Sequence, residues 1–112
     1  PAGKYADETL TSLAIKDSLN NKLVFAKDVK EVLAWTASGN ADAGFVYLSD
    51  ALSSDGVKIV ETISEEYLSP ITYPVAVIKD SQDTDTAKAF EDFLFTDEAQ
   101  NILKKYGYKS VE

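Results

Sequence analysis

Two rhythms of apolar residues alternate along the chain. One repeats every three to four residues. Ala6, Leu10 and Leu13 mark it between residues 5 and 14, and Val29, Val32, Leu33 and Thr36 between 29 and 37. It returns as Ala87, Phe90 and Leu94 within 84–95, then as Ala99, Ile102, Leu103 and Tyr106. Each set falls on one face of a helix turning once per about 3.6 residues. The other rhythm is a short apolar run, at 23–26, 43–48, 57–63 and 72–78. These runs predict strands. Residues 43–48 read as buried on both faces, and 57–63 as presenting Val57, Ile59 and Ile63 to one side. Pro74 weakens the ladder of 72–78 or places it at an edge or crossing. Helices and strands in alternation predict an α/β fold.

Local signals mark where the helices begin and end. Asp28-x-x-Glu31 resembles a capping box, in which the Asp28 carboxylate accepts from the second or third helical amide. Ser38-Gly39-Asn40 closes that helix, Thr96-Asp97-Glu98 opens the last one, and Gly107 stops it. Residues 49–56 read as a short helical turn followed by a loop, and Asp80 to Asp83 as a polar turn.

Length and charge narrow the function classes. At 112 residues the chain is one domain or a piece of one, and it can bury a core. A net charge of −8, with eleven basic residues scattered among nineteen acids, disfavours nucleic acid and anionic lipid. No apolar stretch approaches the roughly 18–20 residues that span a bilayer, and no signal-like segment opens the chain. With no cysteine there is no disulfide framework and no thiolate chemistry.

Enzyme chemistry finds few parts. The absence of histidine removes Ser-His-Asp and Cys-His arrangements and histidine metal sites. The carboxylate pairs Glu65–Glu66 and Asp97–Glu98 could do acid–base work, but their turn and helix-start settings favour solvated or capping roles. Asp80 to Glu91 has the length of a calcium loop. Position six is Asp85 where glycine is required, and Lys88 stands at position nine, so a turn with an N-cap is the better reading. No direct side-chain metal site and no cofactor is expected.

A different chemistry is open at three places. Helix starts at Pro1-Ala2-Gly3-Lys4-Tyr5 and at Asp28-Val29-Lys30-Glu31 offer unpaired amides and a positive dipole end, and Tyr47 ends the run 43–48. Two amides and a neutral phenol could bind an oxyanion. On spacing alone the plainer reading competes, with water on the amides and Tyr47 and Trp35 in the core.

Six segments, taken in order, resemble the periplasmic molybdate-binding proteins of ABC transporters. They are P-A-G-K-Y-A (1–6), A-K-D-V-K-E-V-L-A (26–34), A-D-A-G-F-V-Y-L-S-D-A (41–51), Y-P-V-A-V-I-K-D (73–80), A-K-A-F-E-D-F-L (87–94) and A-Q-N-I-L-K-K-Y-G-Y (99–108). The match runs over essentially the whole chain, but only to the C-terminal half of that family. The resemblance implies a three-layer αβα, type II periplasmic-binding-protein fold that closes as a clamshell on a tetrahedral oxyanion. Residues 1–72 would belong to the second lobe. Residues 73–112 would supply the return crossing strand and helices that pack on the first lobe.

The same resemblance implies the Ala2 and Val29 amides and the Tyr47 hydroxyl as ligands of molybdate or tungstate. The family's two serine ligands lie on the other lobe, outside this sequence. It also implies a membrane permease as partner and a periplasmic or extracellular, surface-anchored location, with signal or anchor not in this chain. By itself the fragment should self-associate or swap elements, because its helix stripes lack their sheet. Sulfate or phosphate binding, a non-transport interaction module and a carboxylate hydrolase are the competing functions.

Overall fold

The structure is a computed structural model and describes residues 1–111. Its elements are α1 (Ala2–Ser12), α2 (Lys16–Leu19), α3 (Val29–Ser38), α4 (Leu48–Leu52), a 3-10 helix (Glu65–Tyr67), α5 (Thr84–Leu94) and α6 (Asp97–Lys105). The chain divides into two units, Pro1–Pro70 and Ile71–Glu112. In the first, α1 packs against α2 and the 3-10 helix, and α3 against α4; in the second, α5 packs against α6.

α1, expected over 5–14, runs Ala2–Ser12 and starts without a side-chain cap. α3, α5 and α6 form where the periodicity places them, and side-chain caps explain where they begin. Asp28 accepts from the Glu31 amide at 2.8 Å, Asp83 from Thr86 at 3.0 Å and Thr96 Oγ1 from Ala99 at 3.3 Å. Each satisfies one donor that the helix cannot satisfy itself. The capping box at α3 is displaced by one residue: Glu31 accepts from the Lys27 amide at 2.8 Å rather than from Asp28. The Asp83 carboxyl titrates below its ordinary value because the Thr86 amide, and then the Thr86 hydroxyl, donate to it.

Three helices end in the same way. At Gly39 (φ 83°), Gly107 (φ 96°) and Ala14 (φ 57°) the backbone turns left-handed. The next amide then reaches back to the helix: Asn40 to Trp35, Tyr108 to Leu103 and Ile15 to Leu10. These are Schellman closures. Glycine adopts that conformation without steric cost, whereas Ala14 carries a Cβ into it. Ala14→Gly is therefore expected to stabilise the full-length protein by about 0.5–1 kcal/mol in chemical denaturation.

The strand expectations fail. Among the described residues none belongs to a β-ladder, and the runs 23–26, 43–48, 57–63 and 72–78 lie outside any sheet. A short apolar run reports a demand for burial, but a strand exists only through a neighbour's amides and carbonyls. The second unit contains one such run, 72–78, and so holds no second run within itself to pair with it. The αβα layering inferred from the resemblance is accordingly not seen.

Burial follows from this. Leu10 and Ala99 are 5% and 4% exposed, whereas Phe25, Val60 and Ile78 are 85%, 81% and 75% exposed. Residues 43–48 are not buried on both faces: Val46 and Tyr47 are half-buried, and Ala43, Gly44, Phe45 and Leu48 are exposed. Phe90, Ile102 and Tyr106, expected to face inward, are exposed as well. The accessible surface is 9084 Å².

Candidate functional site

The three predicted donors all stand at helix starts in the first unit. Ala2 is the first residue of α1, Val29 the first of α3, and Tyr47 the residue capping α4. All three are half-buried. The α1 and α3 helices have 11 and 10 residues, enough for a dipole at their amino ends. The α4 helix has five residues, so what Tyr47 offers is its phenol.

Close packing sets the position of Tyr47. Gly44, three residues earlier, lies against α3, where an added Cβ would come within 2.5 Å of Val32 Cγ1 and 2.7 Å of Thr36 Oγ1. Only a residue without a side chain allows the 43–47 run this approach. At its other end the Tyr47 carbonyl accepts from the Asp50 and Ala51 amides at 3.0 and 3.2 Å. Its amide donates to Asp50 Oδ2 at 3.2 Å.

The nearby carboxylates are occupied by backbone donors. α1 has no acidic residue in its first turn. Asp28 and Glu31 at α3 hold the Glu31 and Lys27 amides, and Asp50 at α4 holds the Tyr47 amide. The Asp28 bond goes to the third helical amide rather than to that of Val29. Negative charge around these helix starts is thus directed at the chain itself.

Burial, then Tyr5, then Asp50 push the Tyr47 phenol above its ordinary value of 10.0. The folded state therefore holds this proton more tightly than the unfolded chain. Stability linked to it is intact below about pH 10 and is lost as pH climbs through the raised value. Ultraviolet titration is expected to show a phenolate that ionises above pH 10 and disappears in Tyr47→Phe.

Surface hollows lie elsewhere. One of about 460 Å³ is lined by Val75, Ile78, Ala87 and Phe90 among others, and one of about 450 Å³ by Glu8, Ser12, Tyr67 and Ser69 among others. Neither includes Ala2, Val29 or Tyr47. Glu65 and Glu66 lie exposed in the 3-10 helix, and Asp97 and Glu98 in the first turn of α6, where they complement its dipole. Among the described residues no group of three acidic side chains could hold a metal ion, and no helix is long and apolar enough to cross a membrane.

Comparison with known proteins identifies the lineage of this arrangement. The family described as bacterial extracellular solute-binding protein matches residues 1–109. The chain belongs to that family. Among its relatives, the molybdate-binding protein ModA of Escherichia coli (strain K12) is 44% identical over 108 residues, which is 96% of this chain and 42% of that protein. ModA of Haemophilus influenzae is 36% identical over 110 residues, covering 98% of this chain and 43% of that protein. YvgL of Bacillus subtilis (strain 168), provisionally named an ABC transporter substrate-binding lipoprotein, is 44% identical over 108 residues, with coverage of 96% and 42%. The chain thus spans less than half the length of these curated relatives. Membership in this solute-binding family supports the type II periplasmic-binding-protein fold.

Sequence reasoning overlooked Tyr5, Gly44 and Glu8. Tyr5 lies inside the P-A-G-K-Y-A segment and was legible as a second phenol near the first helix start. Gly44 interrupts an apolar run, a sign of close backbone approach. Glu8 meets its partner 61 residues away, and no local pattern announces that.

Proposed function

We propose that the protein containing this chain is the solute-binding component of an ABC importer and captures molybdate or tungstate. The observation that carries this reading is the 44% identity to a molybdate-binding protein over 96% of the chain. The proposed ligands are the Ala2 and Val29 amides and the Tyr47 hydroxyl. All are neutral donors. Hydrogen bonds to a charged acceptor contribute about 1.5–3 kcal/mol each, and uncharged donors avoid burying a counter-charge when the site is empty. The occupied carboxylates at α3 and α4 support the same reading, since none needs to face the anion.

On this proposal residues 1–72 belong to the second lobe of a clamshell. Residues 73–112 form the return crossing strand and helices that pack on the first lobe. The remainder of the protein would complete the αβα layers and cover the exposed apolar runs. The protein would work in the periplasm or outside the cell, held at the surface, and would hand its oxyanion to a membrane permease. It would carry no cofactor and catalyse no reaction, as the relatives are named for binding. The 112-residue piece alone would self-associate or swap elements, and light scattering at high concentration would reveal this.

Isothermal titration of the full-length protein with molybdate, tungstate, sulfate and phosphate tests the assignment. Tight binding of the first two with weak or no binding of the others is the expected result. Preference for sulfate or phosphate would move the ligand to another oxyanion. Absence of binding to all four would leave an interaction module as the better reading.

A further inference from the structure

α1 is tied to the end of the first unit by side chains distant in sequence. Glu8 Oε2 accepts from the Ser69 amide at 2.7 Å, and Glu8 Oε1 from the Ser69 hydroxyl at 3.1 Å. One turn further on, Ser12 Oγ donates to the Tyr67 carbonyl at 2.9 Å. Both oxygens of the half-buried Glu8 carboxylate are thus engaged. The residue after Ser69 is Pro70, which has no N–H, so Ser69 supplies the last amide of this unit that could make the tie.

Resting on the proposed oxyanion site, we infer that Glu8 is a positioning residue that fixes the axis of α1 and with it the Ala2 amide. Glu8 lies about 9 Å along the helix from Ala2, so a tilt of about 6° displaces that amide by about 1 Å. Such a shift turns a hydrogen bond of about 2.9 Å into a gap that is no bond. The 3-10 helix and Ser69 act as the wall against which α1 is set. Glu8 touches no ligand in this account. It determines where a ligand-bearing backbone stands.

The test measures molybdate affinity by calorimetry in the full-length protein, with amide exchange at residues 2–5 followed by mass spectrometry. Glu8→Ala is expected to lose about tenfold in affinity and to exchange faster in the first turn of α1. Glu8→Gln should restore affinity to within about threefold, since its amide can accept from the Ser69 N–H and donate to the Ser69 oxygen. If Glu8→Ala does not fold, Glu8→Asp, one methylene short of Ser69, is read in its place with the same expected loss. Wild-type affinity in the Ala or Asp variant, or equal losses for Ala and Gln, overturns the inference while leaving the oxyanion site standing. A wild-type protein that binds no oxyanion overturns both.

Discussion

Tyr47→Phe is expected to weaken molybdate binding in the full-length protein by about 10- to 150-fold, the worth of one hydrogen bond to a charged acceptor. The ring remains, so the packing of the 43–47 run is preserved. A companion variant removes an amide instead. Val29 is the first residue of α3, where proline is tolerated, and Asp28 before it is extended (φ −158°, ψ 171°), as a residue preceding proline must be. Val29→Pro should therefore keep the helix and lose the donor, with a fall in affinity of similar size. Affinity unchanged within about twofold in both variants, by calorimetry, would remove two of the three proposed ligands.

Gly44→Ala is expected to be the most damaging single-methyl change in the first unit. Its Cβ would meet Val32 Cγ1 at 2.5 Å and Thr36 Oγ1 at 2.7 Å, distances that force something to move. Both neighbours are β-branched residues on a helix and have little rotamer freedom to withdraw. Overpacking of this kind costs about 1–3 kcal/mol. For a full-length relative of this size that is a fall in melting temperature of about 2–12 °C by calorimetry. The run would lift from α3 and carry Tyr47 with it, so oxyanion affinity should drop alongside stability. Loss of stability with intact affinity would show that Tyr47 is positioned independently of Gly44.

The helices were legible because their signals are local. Asp28, Asp83 and Thr96 lie three residues from the amides they cap, and Gly39 and Gly107 stand where the backbone turns left-handed. Ala14 makes the same turn without glycine's signature, so the end of α1 passed unmarked. The four apolar runs were legible as demands for burial and were misread as formed strands. The partner that makes a strand is not written in the run itself. For the same reason Phe90, Ile102 and Tyr106 lie on the predicted faces yet are exposed. The site was read as three positions, and the structure places all of them at helix starts. The contacts proposed to set two of them, Gly44 on α3 for Tyr47 and Glu8 on Ser69 for Ala2, join separate segments that no periodicity encodes.

The unladdered runs also bear on how such a chain acquires its fold. The capped helices can form within about a microsecond, each from its own neighbourhood. On the proposed two-lobed reading, the exposed Val24, Phe25, Val60 and Ile78 would instead wait for segments distant in sequence, and high contact order makes such pairing slow. During that interval the nascent molecule shows greasy, unpaired backbone to whatever it meets, which makes it a substrate for chaperones and a seed for aggregates. Its most vulnerable moment would come before those distant segments dock.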